Sequence, residues 1–286
     1  MPETLTDSST GTFDLAGKTI RRLGFGAMRI TGEGIWGEPE DRDEAIAVLH
    51  RALELGVNFI DTADSYGPEV SEKLIAEALH PYPDDLLIAT KAGLLRDGPG
   101  EWTTDGNPDR LRSAVEDSLG RLKLDRIDLL QLHRIDSNYP VEDQIGALTD
   151  LRDEGKIAHI GLSEISVEQL DEVQEMTEVV SVQNLYNLEN RKAADVLEAC
   201  EQRGIGFIPW FPLASGNLLR DGSPLEDIAE RHDASPAQIA LAWLLARSEV
   251  MLPIPGTSTV DHLEDNLAAA DIELSQDEVA ELEDAA

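Results

Sequence analysis

The chain of 286 residues carries 57 acidic against 23 basic side chains, a formal charge of −34, and 41% of its residues are apolar. Such a surface repels nucleic acid and anionic lipid, which excludes both as partners, and apolar residues in periodic runs exclude a disordered chain. The length suits two ordinary domains or one α/β barrel, and the alternation of patterns that follows favours a single barrel domain over residues 1–286.

Residues 1–10 are polar and are expected to be frayed. Residues 12–15, Gly17 and 19–20 read as a short hairpin with a glycine turn. Residues 23–28 form the first barrel strand, weakened by Gly24 and Gly26. Residues 41–55 read as a helix with Ala45, Val48, Leu49, Ala52 and Leu55 on one face and Gly56 past its end. Strands at 57–60, 86–90, 127–132, 157–161, 179–183 and 205–209 then alternate with helices at 70–79, from Asn107-Pro108 along the stripe Leu111, Val115, Leu119 and Leu122, at 141–154, at 166–176 with Ser166 as N-cap, and at 191–203. A short helical piece at 225–231 precedes an apolar helix opened by Ser235-Pro236. An eighth strand at 251–254 and a helix at 260–269 follow, and a last helix at 275–284 lies outside the repeat. Alternation of this kind without a repeated motif calls for a parallel sheet closed by helices, the α/β class in its (β/α)8 form.

Acidic residues are spread through the helical segments, the apolar one at 235–246 excepted, and lysine occurs only at positions 18, 73, 91, 123, 156 and 192. This reads as adaptation to high salt, where the Debye length falls to roughly 3 Å and self-repulsion is screened; an ordinary acidic protein is the plainer reading. The single Cys200 rules out an internal disulfide and, in a helical run, reads as a buried structural thiol. There is no signal peptide and no apolar run of about 18 residues, so a soluble, cytoplasmic protein is expected. Metal-ligand spacing is absent.

Three apolar runs end in a polar residue able to hold or move a proton. Residues 57–60 end in Asp61, with Tyr66 five positions on; 86–90 end in Lys91; 127–132 end in His133. In a parallel barrel the carboxyl ends of all strands open on one face, so these residues can converge. Each has a plainer alternative: Asp61-Thr62 as a turn start, Tyr66 packed on Pro68, His133 as a satisfied core histidine. Lys91 is harder to set aside, because a lysine after an apolar run is costly if buried without a partner. A phenol has a pKa of about 10, and a nearby ammonium is expected to lower it.

The segment with Asp61 and Tyr66, the Thr90-Lys91 pair and the Leu132-His133 pair resemble the catalytic tetrad of the aldo-keto reductases. The resemblance continues through Leu23-Gly24-Phe25-Gly26, Gly161-Leu162-Ser163, Trp210-Phe211-Pro212-Leu213, Pro255-Gly256-Thr257-Ser258 and Asp265-Asn266, in the family's order. It implies reduction of aldehydes or ketones, or the reverse, by hydride transfer from NADPH, with NADH as the alternative. Tyr66 would be the general acid, Lys91 and Asp61 would tune it, and His133 would orient the carbonyl. In this family the hairpin plugs the amino-terminal mouth of the barrel.

By the same resemblance Gly26, Met28 and Asp61 lie against the cofactor. Ser163 and Gln183 would bind the nicotinamide carboxamide, and Trp210 or Phe211 would stack on the ring. Pro212, Leu213 and the loop through Gly216 and Asn217 would clamp the pyrophosphate. Gly256, Thr257, Ser258 and His262 would meet the phosphate at a helix start, and Asp265 and Asn266 the adenine. Glu164 replaces the family's usual Asn, which weakens the expected carboxamide contact; Gly256 replaces its usual basic residue and His262 its usual Arg, which thins the grip on a 2′-phosphate. Trp36, Trp102, Arg96 and Arg134, with Tyr66 and His133, are expected to line a fairly open mouth for a small carbonyl, the arginines pairing with an anionic group. A Schiff-base aldolase using Lys91 and a nicotinamide-binding redox-sensing subunit with little turnover are the rival readings. The oligomeric state is not written in the sequence.

Overall fold

The computed structural model describes residues 11–213 and 224–285; the polar residues 1–10, expected to be frayed, lie outside the described residues. Strands β1 (Thr12–Leu15) and β2 (Lys18–Arg21) form an antiparallel hairpin. Its turn residues, Ala16 and Gly17, both have positive φ, the conformation that matches the twist of two paired strands. The hairpin drives Leu15 and Ile20 into an apolar cluster with Phe59, Leu87, Ala89, Leu129, Ile208, Leu252 and Ile254. Those partners lie on barrel strands or beside them, so the hairpin is the floor of the barrel.

A parallel sheet runs β3 (Phe25–Gly26), β4 (Phe59–Asp61), β5 (Leu87–Ala92), β8 (Ile127–Leu132), β9 (Ile157–Ser163), β10 (Ser181–Leu185) and β11 (Gly206–Trp210), each beside the next. The segment expected as an eighth strand makes one isolated bridge, Met251 to Phe207, and no ladder. It nevertheless closes the barrel. Phe207 N donates to Val250 O at 2.8 Å and Leu252 N to Phe207 O at 2.8 Å on one side, while Gly24 N donates to Pro253 O at 2.9 Å and Gly26 N to Pro255 O at 3.3 Å on the other. Pro253 and Pro255 have no N–H to return, which is why the pairing runs one way. The first strand is shorter than expected for a related reason. A Cβ on Gly24 would come within 2.6 Å of the Phe59 ring and one on Gly26 within 2.5 Å of Ile254 O, so these glycines permit close approach at the seam and add little propensity.

Helices α1 (Arg42–Glu54), α2 (Val70–Leu79), α3 (Pro108–Leu122), α4 (Val141–Asp153), α5 (Val167–Gln174), α6 (Ala194–Arg203), α7 (Pro224–Arg231), α8 (Pro236–Arg247), α9 (Val260–Ala268) and α10 (Gln276–Ala285) cover the sheet. Several of these starts are written in cap residues: Asp41 accepts from Glu44 N, Asn107 from Asp109 N, and Ser166 and Ser235 form capping boxes with Gln169 and Gln238. One element has no counterpart in the sequence reading, an antiparallel hairpin of β6 (Leu94–Gly98) and β7 (Glu101–Thr104) between β5 and α3. The fold is the α/β, (β/α)8 barrel with an amino-terminal hairpin and an extra carboxyl-terminal helix. No helix among the described residues is long and apolar enough to cross a membrane.

Candidate active site

The strand ends bring the expected residues together. Asp61 closes β4, Lys91 is the penultimate residue of β5, and His133 directly follows β8. Tyr66 lies in the loop after β4, followed by Gly67 with φ of 98°, where a Cβ would sit 2.4 Å from Val70 Cβ; only glycine allows the chain to turn into α2 there.

Lys91 is fully buried. Its Nζ donates to Asp61 Oδ1 at 2.5 Å, Thr62 O at 2.8 Å and Tyr66 Oη at 3.3 Å. Asp61 Oδ2 accepts from Gln131 Nε2 and from Gln183 Nε2, both at 2.9 Å. Each polar atom of the ion pair is therefore matched, as a buried pair requires. Burial pulls the Lys91 ammonium down, but the Asp61 carboxylate and the Tyr66 oxygen together outweigh it and leave its pKa above the ordinary value. The expected depression of Tyr66 does not appear. Burial pushes the phenol up, and the Lys91 charge and hydrogen bond offset only part of that. His133 is held well below its usual range by burial, then by the positive charges of Lys91 and Arg134, so its imidazole is neutral at neutral pH. Its Nδ1 lies 3.4 Å from Ser65 Oγ.

Trp102, on β7, stands edge-on to Tyr66 and to His133, with ring centroids 6.5 Å away in each case. Arg96 does not offer itself to an anion. Its guanidinium lies 3.7 Å from the Trp102 ring centroid and 5.7 Å from that of Trp36, and its N–H groups are taken by backbone carbonyls. Arg134 donates to His133 O at 2.5 Å and to Ser163 Oγ at 3.0 Å, which anchors it beside the tetrad.

Of the residues expected at the cofactor, Ser163 and Gln183 are buried at the ends of β9 and within β10, and Trp210 closes β11 with Phe211, Pro212 and Leu213 after it. Glu164 Oε1 accepts from Trp210 Nε1 and from Leu185 N, both at 2.6 Å, so the residue standing for the usual Asn orients the indole. Gly216 and Asn217 lie outside the described residues. A Cβ on Gly256 would meet Gly26 O at 2.5 Å, and Met28, half-buried, follows β3 by two residues. Thr257 Oγ1 accepts from Thr259 N at 3.2 Å, while Ser258 and His262 are exposed. The first N–H of α9, Val260 N, is already taken by Glu44 Oε1 at 2.9 Å. Asp265 accepts from Ser235 Oγ and Gln238 Nε2 at 3.0 Å each, tying α9 to the start of α8, and Asn266 is buried.

The sequence reading missed Gln131. A signal for it exists: Leu129, Gln131 and His133 share a face at the strand period, and a Gln inside an apolar run two positions before His133 must point into the barrel. Ser65 and the β6–β7 hairpin were also missed.

Residues 22–286 match the Aldo/keto reductase family. The chain is 54% identical over 277 residues to an uncharacterized oxidoreductase of Schizosaccharomyces pombe, spanning 97% of this chain and 90% of that one. It is 43% identical over 281 residues to pyridoxine 4-dehydrogenase of Escherichia coli, spanning 96% and 98%. Among solved structures, the glycerol dehydrogenase of Gluconobacter oxydans superposes with a TM-score of 0.85 at 26% identity, covering 96% of this chain and 95% of that one. An aldo-keto reductase of Klebsiella pneumoniae in complex with NADPH superposes with a TM-score of 0.82 at 26% identity, covering 96% and 94%. The match runs from the end of the hairpin through the whole barrel, and the chain belongs to the aldo/keto reductase family.

Proposed function

We propose that Tyr66 gives the substrate oxygen its proton, and takes it back in alcohol oxidation, in what is an NAD(P)H-dependent oxidoreductase of carbonyl compounds. The observation that carries this assignment is the 3.3 Å hydrogen bond from Lys91 Nζ to Tyr66 Oη, inside the ion pair with Asp61. Burial keeps the phenol protonated at neutral pH, so Tyr66 starts a reduction as an acid. The negative charge left on its oxygen develops beside a fixed ammonium, which is where electrostatic stabilisation is most effective. Asp61 keeps that ammonium charged, and Gln131 and Gln183 keep Asp61 in place. With Nδ1 beside Ser65, Nε2 of the neutral His133 is the ring nitrogen left to hold the substrate oxygen.

A nicotinamide, when bound, supplies the hydride. The residues present fit such a ring: Phe211, 39% exposed and with φ of 58°, stands beside Trp210 with ring centroids 6.2 Å apart, an open apolar surface at the barrel mouth. The Ser163 hydroxyl, its oxygen accepting from Arg134, retains its own proton for a carboxamide oxygen. NADPH is the preferred nucleotide in this reading and NADH is accepted. Gly256 and His262 offer no fixed positive charge, and the Glu44 carboxylate at the start of α9 thins the site further. Pyridoxine and its 4-aldehyde are the first substrates to try, given the 43% identity to pyridoxine 4-dehydrogenase. The reading also takes the chain as a single barrel domain of the cytoplasm, and takes the −34 charge as an adaptation to high salt.

The test is fluorescence titration with NADPH and NADH in molar KCl, then nicotinamide absorbance with a panel of aldehydes, for wild type and Tyr66→Phe. The expected result is oxidation of NADPH that falls by about 10²-fold or more in the variant. Undiminished turnover by Tyr66→Phe would remove Tyr66 from its role, and the ratio of nucleotide affinities decides the preference.

A further inference from the structure

We propose that Arg96 is a positioning residue that sets substrate choice: it ties three loops of the barrel mouth to one guanidinium and thereby fixes the Trp102 indole as a wall for flat aromatic carbonyls. The proposal rests on the reductase reading and names the substrate class for it.

A guanidinium has five N–H groups in a rigid fork. Around Arg96, Nε donates to Glu101 O at 3.0 Å, Nη1 to Ile35 O at 2.9 Å and Ser65 O at 3.3 Å, and Nη2 to Gly34 O at 2.9 Å and Gly98 O at 3.3 Å. The acceptors come from the turn at 33–37, from the residue before Tyr66, and from both strands of the β6–β7 hairpin. All are neutral carbonyls, so among the described residues the positive charge is met by no carboxylate and lies instead against the Trp102 ring. A lysine would place a point charge there, and its three donors on one atom could not meet five carbonyls spread around a planar fork.

The backbone is shaped for this contact. Gly34 and Ile35 have φ of 67° and 57°, so successive carbonyls turn toward the same guanidinium. Left-handed backbone is strained for a β-branched residue and persists only where its surroundings impose it. Ile35 O also accepts from Gly67 N at 3.3 Å, which couples the turn to the residue after Tyr66. The hairpin tip closes on the same turn, since a Cβ on Gly34 would lie 3.2 Å from Pro99 Cβ.

Trp102 is consequently held on one face by Arg96 and set edge-on to Tyr66 and His133, yet it is 38% exposed. The remaining indole surface lies beside the two side chains that meet the carbonyl oxygen. A planar ring stacked there would carry its carbonyl to Tyr66 Oη and His133, whereas a short aliphatic aldehyde leaves that surface uncovered.

The test is the ratio of kcat/KM for benzaldehyde to that for propanal, measured for wild type, Arg96→Met, Trp102→Ala and the double variant, with NADPH affinity followed by fluorescence. The ratio is expected to fall about tenfold in each single variant and no further in the double, because Arg96 acts through Trp102. NADPH affinity stays within about twofold, since neither residue is placed at the nucleotide. Arg96→Lys, which keeps the charge and loses the fork, is expected to match Arg96→Met, and it carries the cycle if the Met variant does not fold. An unchanged ratio in the Arg96 variants, or a double variant whose loss is the product of the two singles, overturns the proposal while leaving the reductase reading intact. A wild type that binds NADPH and reduces no aldehyde overturns both.

Discussion

At the scale of the residue, His133 makes the sharpest statement about pH. Its folded-state pKa lies well below 6.5, from burial first and then from Lys91 and Arg134. In the unfolded chain the same imidazole titrates near 6.5. Below that pH the unfolded state binds a proton that the folded state refuses, so this group's contribution to stability is lost as pH falls from about 6.5 toward the folded value. The expected outcome is a two-dimensional NMR titration in which the His133 ring stays neutral as pH falls through 6.5, and a kcat/KM profile with no acid limb there. A ring that titrates at its ordinary value would show the site to be wetter than its geometry. The sequence carried the identity of the four strand-end and loop residues because each interrupts an apolar run or follows one closely. It could not carry the sign of the Tyr66 shift, since that depends on how completely the phenol is enclosed, and enclosure comes from Trp102 and the distant hairpin. Arg96 was misread for a similar reason: a cation near aromatic residues looks free until the carbonyls of Gly34, Ile35 and Ser65 are seen around it.

Among the elements, the β1–β2 hairpin does the most with the fewest residues. Ile20 is fully buried and packs with Leu15 against side chains from or beside five barrel strands. Truncation there leaves a cavity under the barrel that a hairpin fixed at both edges by barrel contacts cannot collapse to fill. Asn58 holds one of those edges, accepting from Arg21 N at 2.8 Å and donating to Thr19 O at 3.0 Å. Ile20→Ala is therefore expected to cost about 2–5 kcal/mol of stability in chemical denaturation, with nicotinamide affinity retained in the folded fraction. A loss under about 1 kcal/mol would mean the hairpin is only loosely seated. This element was legible because its turn and alternation are local. The β6–β7 hairpin was not: Leu94–Gly98 has no strict alternation, its register shifts between Leu95 and Gly98, and its pairing is secured by Arg96 from within. The eighth strand was legible as an apolar run, but its prolines leave it only accepting hydrogen bonds from Gly24 and Gly26 on the β3 side, which local propensity does not describe.

For the whole molecule the governing quantity is the −34 charge. Arginines on the helices pair where they can, as in Arg51 with Glu54 and Glu264 and Arg112 with Asp150 and Glu154. Exposed pairs of this kind contribute about 0–1 kcal/mol each and weaken as salt is added. The unmatched acids act in the opposite sense, because salt relieves their mutual repulsion. With 57 acids against 23 bases, most acids have no cation to lose, so relief outweighs weakened bridges and Tm should rise with KCl. Screening also fixes the shape of that rise: the Debye length falls from about 10 Å at 0.1 M to about 3 Å at 1 M, so most of the gain comes below 1 M and flattens beyond it. A gain that continues linearly to several molar would instead reflect exclusion of salt from the surface. The two are separated by pH. Near the sequence pI of about 4.3 the net charge is small, so a screening gain must shrink as pH is lowered from 8 to 5, while an exclusion gain need not. The measurement is Tm by differential scanning fluorimetry over KCl at both pH values. A salt gain as large at pH 5 as at pH 8 would detach stability from the charge, and with it the argument that this barrel is built for concentrated salt.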